Sequence, residues 1–130
     1  MKDFVNYNQA LELKELGFDE PCFGYYDLDG LQVKTHHWYP QNKNSSFPLP
    51  HTTNNPKISA PTFSQAFRFF REKGYMFNIV NDVSASKDGC YYFDLWLSGQ
   101  ILWETDYIYK TYEEAESACL DKLIELAKTK

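Results

Sequence analysis

The stretch Tyr91–Leu97 reads YYFDLWL, and the turn-forming pair Ser98-Gly99 follows it directly. Apolar or aromatic residues occupy every odd position of this stretch, whereas the even positions include the charged Asp94. A period of two is typical of a β-strand whose two faces meet different surroundings. The alternation therefore predicts two sets of side chains: inward Tyr91, Phe93, Leu95 and Leu97, and outward Tyr92, Asp94 and Trp96.

Two further strands flank this one in the sequence. The residues Met76–Val83 precede it and the residues Ile101–Tyr109 follow it, and both segments are rich in aromatic and β-branched residues. Connections that contain Ser and Gly, at 86–89 and at 98–99, favour tight turns between neighbouring strands. The three strands are therefore predicted to form an antiparallel meander.

An N-terminal hairpin is predicted from the strands Phe23–Leu28 and Leu31–Tyr39, which the turn Asp29-Gly30 would join. The segment at about 40–61 contains five of the chain's six prolines and has neither a helical nor a strand period. It is predicted to be a long irregular loop. Loops of this length either connect elements across the surface or bind a ligand, and the sequence leaves both roles open.

Three similar pentapeptides mark the starts of helices. In each, the side chain of an Asn or Thr can accept a hydrogen bond from the backbone N–H three residues later. The side chain of the Gln or Glu at that later position can in turn accept from the backbone N–H of the Asn or Thr. Gly17 and Gly74 are typical residues after a helix end. The pentapeptides are NYNQA at 6–10, TFSQA at 62–66 and TYEEA at 111–115, and they predict helices over Tyr7–Leu16, Phe63–Lys73 and Tyr112–Ala127.

The order of the predicted elements is α-β-β-α-β-β-β-α. It indicates an α+β fold in which an antiparallel sheet, built from the N-terminal hairpin and the three-strand meander, packs against helices. The chain has 130 residues, of which 43% are hydrophobic and 18% are aromatic. This length and composition suffice for one hydrophobic core. We therefore expect residues 1–130 to form a single domain.

The three cysteines, Cys22, Cys90 and Cys119, are odd in number and have no C-x-x-C spacing. This pattern favours free thiols over a disulfide framework or a zinc site. No apolar run is long enough to cross a bilayer, and the first residues lack the pattern of a signal peptide. We therefore expect a cytoplasmic protein that does not associate with membranes.

The formal net charge of −5 is distributed unevenly along the chain. Residues 1–29 carry seven acids and two bases, and residues 76–130 carry ten acids and five bases. Residues 30–75, in contrast, carry six bases and one acid. This middle segment could form a basic patch that contacts nucleic-acid phosphates. Its candidate contact residues are Lys57, Arg68, Arg71 and Lys73.

No pattern in the sequence predicts a catalytic site, a metal site or a cofactor. The pair His36-His37 lies in a predicted strand, where neighbouring side chains point to opposite faces and cannot bind one ion together. A Gly-rich phosphate loop, a nucleophile elbow and an H-E-x-x-H run do not occur in the chain. We therefore expect that the protein is not an enzyme.

Aromatic residues are more numerous than the predicted inward positions can take. The alternation places Tyr92 and Trp96 on the outer face, and Trp38 and Tyr39 end the second hairpin strand. Aromatic rings beside polar residues are common in protein interfaces. We therefore select these four residues as candidate protein-binding residues. The alternative is that another part of the chain covers the rings.

Three segments of the chain resemble small phage and prophage proteins of unknown function from gut bacteria. They read LGFDEPCF at 16–23, APTFSQAFRFFREK at 60–73 and TYEEAESACL at 111–120. The resemblance extends over most of the chain. It implies an origin in a mobile element and transfers no active site.

The second half of the chain resembles the double-stranded-RNA-binding fold in its order of helix, three-strand meander and helix. Members of that fold bind phosphates through lysines at the start of the last helix. The corresponding positions here are Glu113, Glu114 and Glu116. Carboxylates repel phosphate, so the resemblance implies a related topology and not the RNA-binding activity.

Two functional hypotheses follow from the sequence. The first is a non-catalytic phage-type accessory protein that binds another protein, a host or phage factor, through an aromatic and acidic surface. The second is a nucleic-acid-binding protein that uses the basic segment 57–73. The sequence indicates neither the identity of the partner nor the oligomeric state.

Overall fold

The computed structural model describes residues 3–27, 29–33, 58–81, 90–104 and 109–129, and it confirms the predicted α+β class. Two compact units are present, Met1–Ala66 and Phe67–Lys130, and their boundary falls within the second helix. The expectation of a single domain stays a prediction. The described helices are α1 (Tyr7–Glu15), α2 (Phe63–Glu72) and α3 (Tyr112–Lys128). The described strands are β1 (Gly24–Asp27), β2 (Gly30–Val33), β3 (Ile58–Ala60), β4 (Tyr75–Asn81), β5 (Tyr91–Leu97) and β6 (Gln100–Glu104).

The three predicted helices have the expected bounds to within one residue, and β5 has the predicted bounds. The outer strands of the meander differ more. The strand predicted over Ile101–Tyr109 begins at Gln100, and its described part is Gln100–Glu104. Residues 105–108 lie outside the described part, and Tyr109 then exchanges backbone hydrogen bonds with Tyr91 at 2.7 and 3.1 Å.

The first two helices begin with the predicted capping boxes. At α1 the backbone N–H of Gln9 donates to Oδ1 of Asn6 at 2.8 Å, and the backbone N–H of Asn6 donates to Oε1 of Gln9 at 3.0 Å. Thr62 and Gln65 make the same exchange at α2, with longer distances of 3.2 and 3.4 Å. These pairs satisfy backbone donors that would otherwise lack a partner in the first turn.

The third helix has one of the two hydrogen bonds of the predicted capping box. The backbone N–H of Glu114 donates to Oγ1 of Thr111 at 3.1 Å, as expected. The Glu114 carboxylate, however, accepts from the backbone N–H of Lys110 at 3.3 Å and not from that of Thr111. The longer reach still satisfies a backbone donor near the helix start, where negative charge is favoured by the helix dipole.

In the first unit, β1 lies between β2 and β3 and pairs with both in the antiparallel sense. Gly24 of β1 is opposite Val33 on one side and Ala60 on the other. A Cβ atom on Gly24 would stand only 2.9 Å from Cε1 of Phe4. The glycine is therefore required by the close approach of the Phe4 ring.

Strand β3 corrects the prediction of an irregular loop that extends to residue 61. Its three residues, all buried, continue the sheet through pairs such as Tyr26 with Ile58. A three-residue strand between prolines is too short to show a period in the sequence, and its pairing with β1 is a tertiary interaction. The rest of the predicted loop, residues 40–57, lies outside the described residues.

The second unit contains the predicted meander, with β5 between β4 and β6. Ser98 and Gly99 join β5 to β6 with positive φ angles of 52° and 84°, which is the two-residue turn that matches the twist of the strands. A bulge follows in β6, because Leu95 is opposite Trp103 whereas Trp96 is opposite Ile101. This register leaves one extra residue, Leu102, in β6.

Helices pack against one face of this sheet. Phe93 and Leu95 of β5 are buried there, and the buried stripe of α3 contributes Cys119, Leu120 and Leu123. The last turns of α2 add aromatic contacts, since the rings of Phe67 and Phe77 stack with centroids 4.2 Å apart. The list of inward side chains therefore agrees with the alternation in β5: Phe93 and Leu95 are fully covered, and Tyr91 and Leu97 are half-buried at the ends.

None of the helices in the described part of the chain is both long enough and apolar enough to cross a membrane.

Candidate protein interface on the second sheet

The outer face of the second sheet is the side away from α3. Residues that are directly opposite in neighbouring antiparallel strands point to the same face, so the register of β4, β5 and β6 defines its members. They are Met76, Asn78 and Val80 of β4, Tyr92, Asp94 and Trp96 of β5, and Ile101 and Glu104 of β6.

Three of these side chains form what we call the apolar row: Met76, Trp96 and Ile101. Trp96 is opposite Met76 on one side and opposite Ile101 on the other, so the row crosses all three strands. Met76 is 57% exposed and Ile101 is 51% exposed, whereas Trp96 is half-buried between them. An apolar surface that is continuous over several residues is typical of an interaction site.

A shallow depression lies beside Met76 and Trp96 of this row. Its lining is formed by Met76, Asn78, Trp96 and Gly99, and its volume is about 230 Å³. Gly99 belongs to the turn between β5 and β6 and has no side chain to fill the space. The depression is therefore a surface feature with an aromatic wall that can receive a side chain of a partner.

The neighbouring set of opposite residues forms what we call the polar row: Asn78, Asp94 and Glu104. Asp94 has a fixed orientation, because its Oδ1 accepts from Nδ2 of Asn78 at 2.9 Å and from Nε1 of Trp96 at 2.8 Å. The Trp96 indole is oriented by the same hydrogen bond. The two rows are thus connected by one carboxylate oxygen.

The described strands give the outer face negative charge and no positive charge. The three strands contain no Lys and no Arg, and their two carboxylates, Asp94 and Glu104, are directly opposite each other on this face. Like charges in such a cross-strand pair destabilise a sheet. The alternation in the sequence had placed Asp94 on this outer face.

Two of the four candidate protein-binding residues lie on this face. Trp96 is in the apolar row, and Tyr92 is half-buried opposite Val80. The other two, Trp38 and Tyr39, lie outside the described residues. Met76 and Ile101 were not selected from the sequence, although the two-residue turn Ser98-Gly99 would have placed Ile101 opposite Trp96.

The candidate nucleic-acid residues lie on another element. Arg68, Arg71 and Lys73 are exposed on the second half of α2 and the residue after it. Lys73 covers the Phe69 ring, with Nζ 4.8 Å from the ring centroid. Lys57, the fourth member of the predicted patch, lies outside the described residues.

Two of the three thiols are buried and have raised pKa values. Burial raises the pKa of the Cys22 thiol to about 12, and the Glu20 carboxylate acts in the same direction. Burial also raises the pKa of the Cys119 thiol above its usual range, with smaller contributions from Asp94 and Glu116. Because the thiolate is the reactive form of cysteine, Cys22 and Cys119 are packing residues at neutral pH.

The described residues contain no group of three or more His, Cys, Asp or Glu side chains that could hold a metal ion. His36 and His37, the pair considered in the sequence, lie outside the described part. The expectation that they bind no metal therefore stays a prediction.

A second depression, of about 200 Å³, lies between α3 and the edge of the inner face. Phe93, Trp103 and Tyr109 form its aromatic lining. Lys122 of α3 occupies its mouth, with Nζ 3.7 Å from the centroid of the Trp103 ring, and donates to Glu125 at 3.2 Å. Lys122 of the same unit thus covers part of this lining, whereas Met76 and Ile101 of the outer face are each more than half exposed.

Comparison of the chain with protein-family models, with curated proteins and with solved structures finds no match.

Proposed function

We propose that this chain is a non-catalytic protein-binding module whose contact surface is the outer face of the second sheet. The observation that carries the proposal is the apolar row, in which two side chains are more than half exposed and flank an oriented Trp96. Tryptophan is frequently an anchor of protein interfaces because it buries a large area with few freely rotating bonds. The resemblance to phage proteins favours a host or phage factor as the partner.

The surroundings of the apolar row support this function. Interfaces combine an apolar centre with a polar rim that fixes orientation. Here Asn78, Asp94 and Glu104 lie along one side of the row. The proposal includes no catalytic step, since burial keeps the thiols of Cys22 and Cys119 protonated and the outer face has no nucleophile beside a base.

A capture experiment tests the proposal with two matched variants. Met76→Asp puts a carboxylate into the apolar row, whereas Phe23→Asp makes the same change at a side chain of the first unit that is 44% exposed. Neither change alters a buried position, so both variants should fold. The immobilised chain is incubated with a lysate of the cells that encode it, and retained proteins are quantified by mass spectrometry.

We expect the wild-type chain and Phe23→Asp to retain the same protein, and Met76→Asp to retain at least about tenfold less of it. The loss arises because the partner would have to desolvate an unpaired carboxylate at the interface. The proposed function is wrong if the wild-type chain retains no protein beyond the amount that the resin retains alone. It is also wrong if all three chains retain equal amounts of the same protein.

A second candidate function is nucleic-acid binding. It is favoured by the three exposed cations at the end of α2, of which Arg68 and Arg71 lie one turn apart. The same capture experiment distinguishes it. If nucleic acid is the ligand, retention is lost when the lysate is treated with nuclease or when Arg68 and Arg71 are changed to Ala, and Met76→Asp has no effect.

A further inference from the structure

We infer that the partner places an arginine on the polar row and apolar side chains on the apolar row. This inference rests on the proposed function and specifies the chemistry of the partner. The occupant is a protein segment in which arginine lies between apolar residues. Charge, hydrogen bonding and the neighbouring aromatic ring each support it.

Asp94 and Glu104 favour a positively charged group of the partner. These two carboxylates are directly opposite on the outer face, and β4, β5 and β6 provide no cation to separate them. A cation that binds between two like charges on neighbouring strands is attracted by both and reduces the repulsion between them. A partner with negative charge at this point would increase the repulsion instead.

The two carboxylate oxygens of Asp94 differ in their hydrogen bonding. Oδ1 already accepts from Asn78 and Trp96, and these bonds hold the carboxylate in one orientation. Oδ2 accepts no hydrogen bond from any residue in the described part of the chain. A carboxylate that is oriented before binding loses little conformational entropy on accepting a donor, which increases affinity. The donor that suits Oδ2 is an N–H of a cation.

The neighbouring Trp96 ring favours arginine over lysine as the cation. Trp96 is the residue next but one to Asp94 in β5 and shares its face, so a cation on the polar row lies beside the indole. A guanidinium is planar, stacks on aromatic rings and has several N–H groups that can reach Asp94 and Glu104 together. An ammonium is a more strongly hydrated point charge and gains less on a half-buried surface.

The same charges exclude two other occupants. A second copy of this chain that docked with its own outer face would bring its Asp94 and Glu104 against the first pair, with no cation from either sheet between them. Nucleic acid would bring phosphates to the same carboxylates. A basic protein segment is the occupant that complements the face in both charge and apolar character.

A peptide titration of the full-length chain, followed by NMR, tests the inference. The probe is a capped peptide with two arginines, each between leucines. Two control peptides carry citrulline, which keeps the shape of arginine without its charge, or glutamate in place of arginine. The readout is the Nε1–H resonance of Trp96, assigned by its loss in Trp96→Phe.

We expect the arginine peptide to shift this resonance in a saturable way and to bind about tenfold more tightly than the citrulline peptide, with no shift from the glutamate peptide. Asp94→Asn keeps an oxygen for Trp96 and Asn78 but removes the charge, so it should abolish the preference for arginine over citrulline. Asp29→Asn, the same change in the hairpin turn of the first unit, should preserve that preference.

Equal binding of the three peptides, or a preference that persists in Asp94→Asn, would overturn the arginine inference and leave the apolar interface intact. A titration in which no peptide shifts the Trp96 resonance would also overturn it. The capture experiment with Met76→Asp then decides the proposed function separately, because its result depends on the apolar row and not on the charge of Asp94.

Discussion

At the scale of single residues, Trp96 has two roles in the outer face. Its ring occupies the centre of the apolar row, and its Nε1 donates to Oδ1 of Asp94 at 2.8 Å. A buried or half-buried indole nitrogen needs an acceptor, and a carboxylate is a strong one. The ring orientation and the carboxylate orientation are therefore determined together, and a change at either residue affects both.

The cysteines give a prediction at the same scale. Cys22 and Cys119 are buried with raised pKa values, whereas Cys90 is only half-buried. At pH 8 we expect a thiol-specific colorimetric reagent to modify one thiol in the folded chain and three in guanidinium chloride, because reaction needs an accessible thiolate. In Cys90→Ser the folded chain should have no reactive thiol. Two or more reactive thiols in the folded wild-type chain would contradict the assignment.

At the scale of elements, the helices and the central strand were predictable because local signals define them. Capping residues mark each helix start, and YYFDLWL has a clear period of two, so α1, α2, α3 and β5 were predicted to within one residue. β3 could not be predicted in this way. Its three residues become a strand only through pairing with β1, and nothing in their sequence specifies that partner.

The part of the candidate site that lies on β5 was also predictable from the sequence. The alternation of β5 placed Tyr92, Asp94 and Trp96 outward, and the register agrees. The apolar row was missed because it depends on which residues of β4 and β6 are opposite Trp96. The pair of Met76 and Trp96 depends on the connection between β4 and β5, which is too long for the sequence to specify a register. The bulge at Leu102 lies beyond Ile101, so it changes the pairing of Trp103 and Glu104 and not that of the apolar row.

The capping boxes permit a prediction for α1. Asn6→Ala removes the acceptor for the backbone N–H of Gln9, and we expect it to lower the free energy of unfolding by about 1 kcal/mol. Asn8→Ala is the matched control, since Asn8 is exposed in the first turn of the helix and Ala has the higher helix propensity. Urea denaturation measures both. Equal destabilisation by the two changes would contradict the capping role of Asn6.

At the scale of the whole molecule, the net charge of −5 favours a basic partner before contact is made. Long-range attraction between opposite net charges increases the rate of association and weakens as salt is added. The outer face then adds a local preference, because the second sheet contains carboxylates and no cation. Charge and apolar surface thus favour the same class of partner at long and at short range.

The central claim is that the outer face of the second sheet contacts a partner protein, and photo-crosslinking from that face tests it most directly. A benzophenone amino acid in place of Ile101, which is 51% exposed, is irradiated in a lysate of the cells that encode the chain. We predict one discrete covalent adduct, which excess unlabelled wild-type chain suppresses and excess Met76→Asp chain does not. Failure to form an adduct, or equal suppression by the two competitors, would contradict the claim.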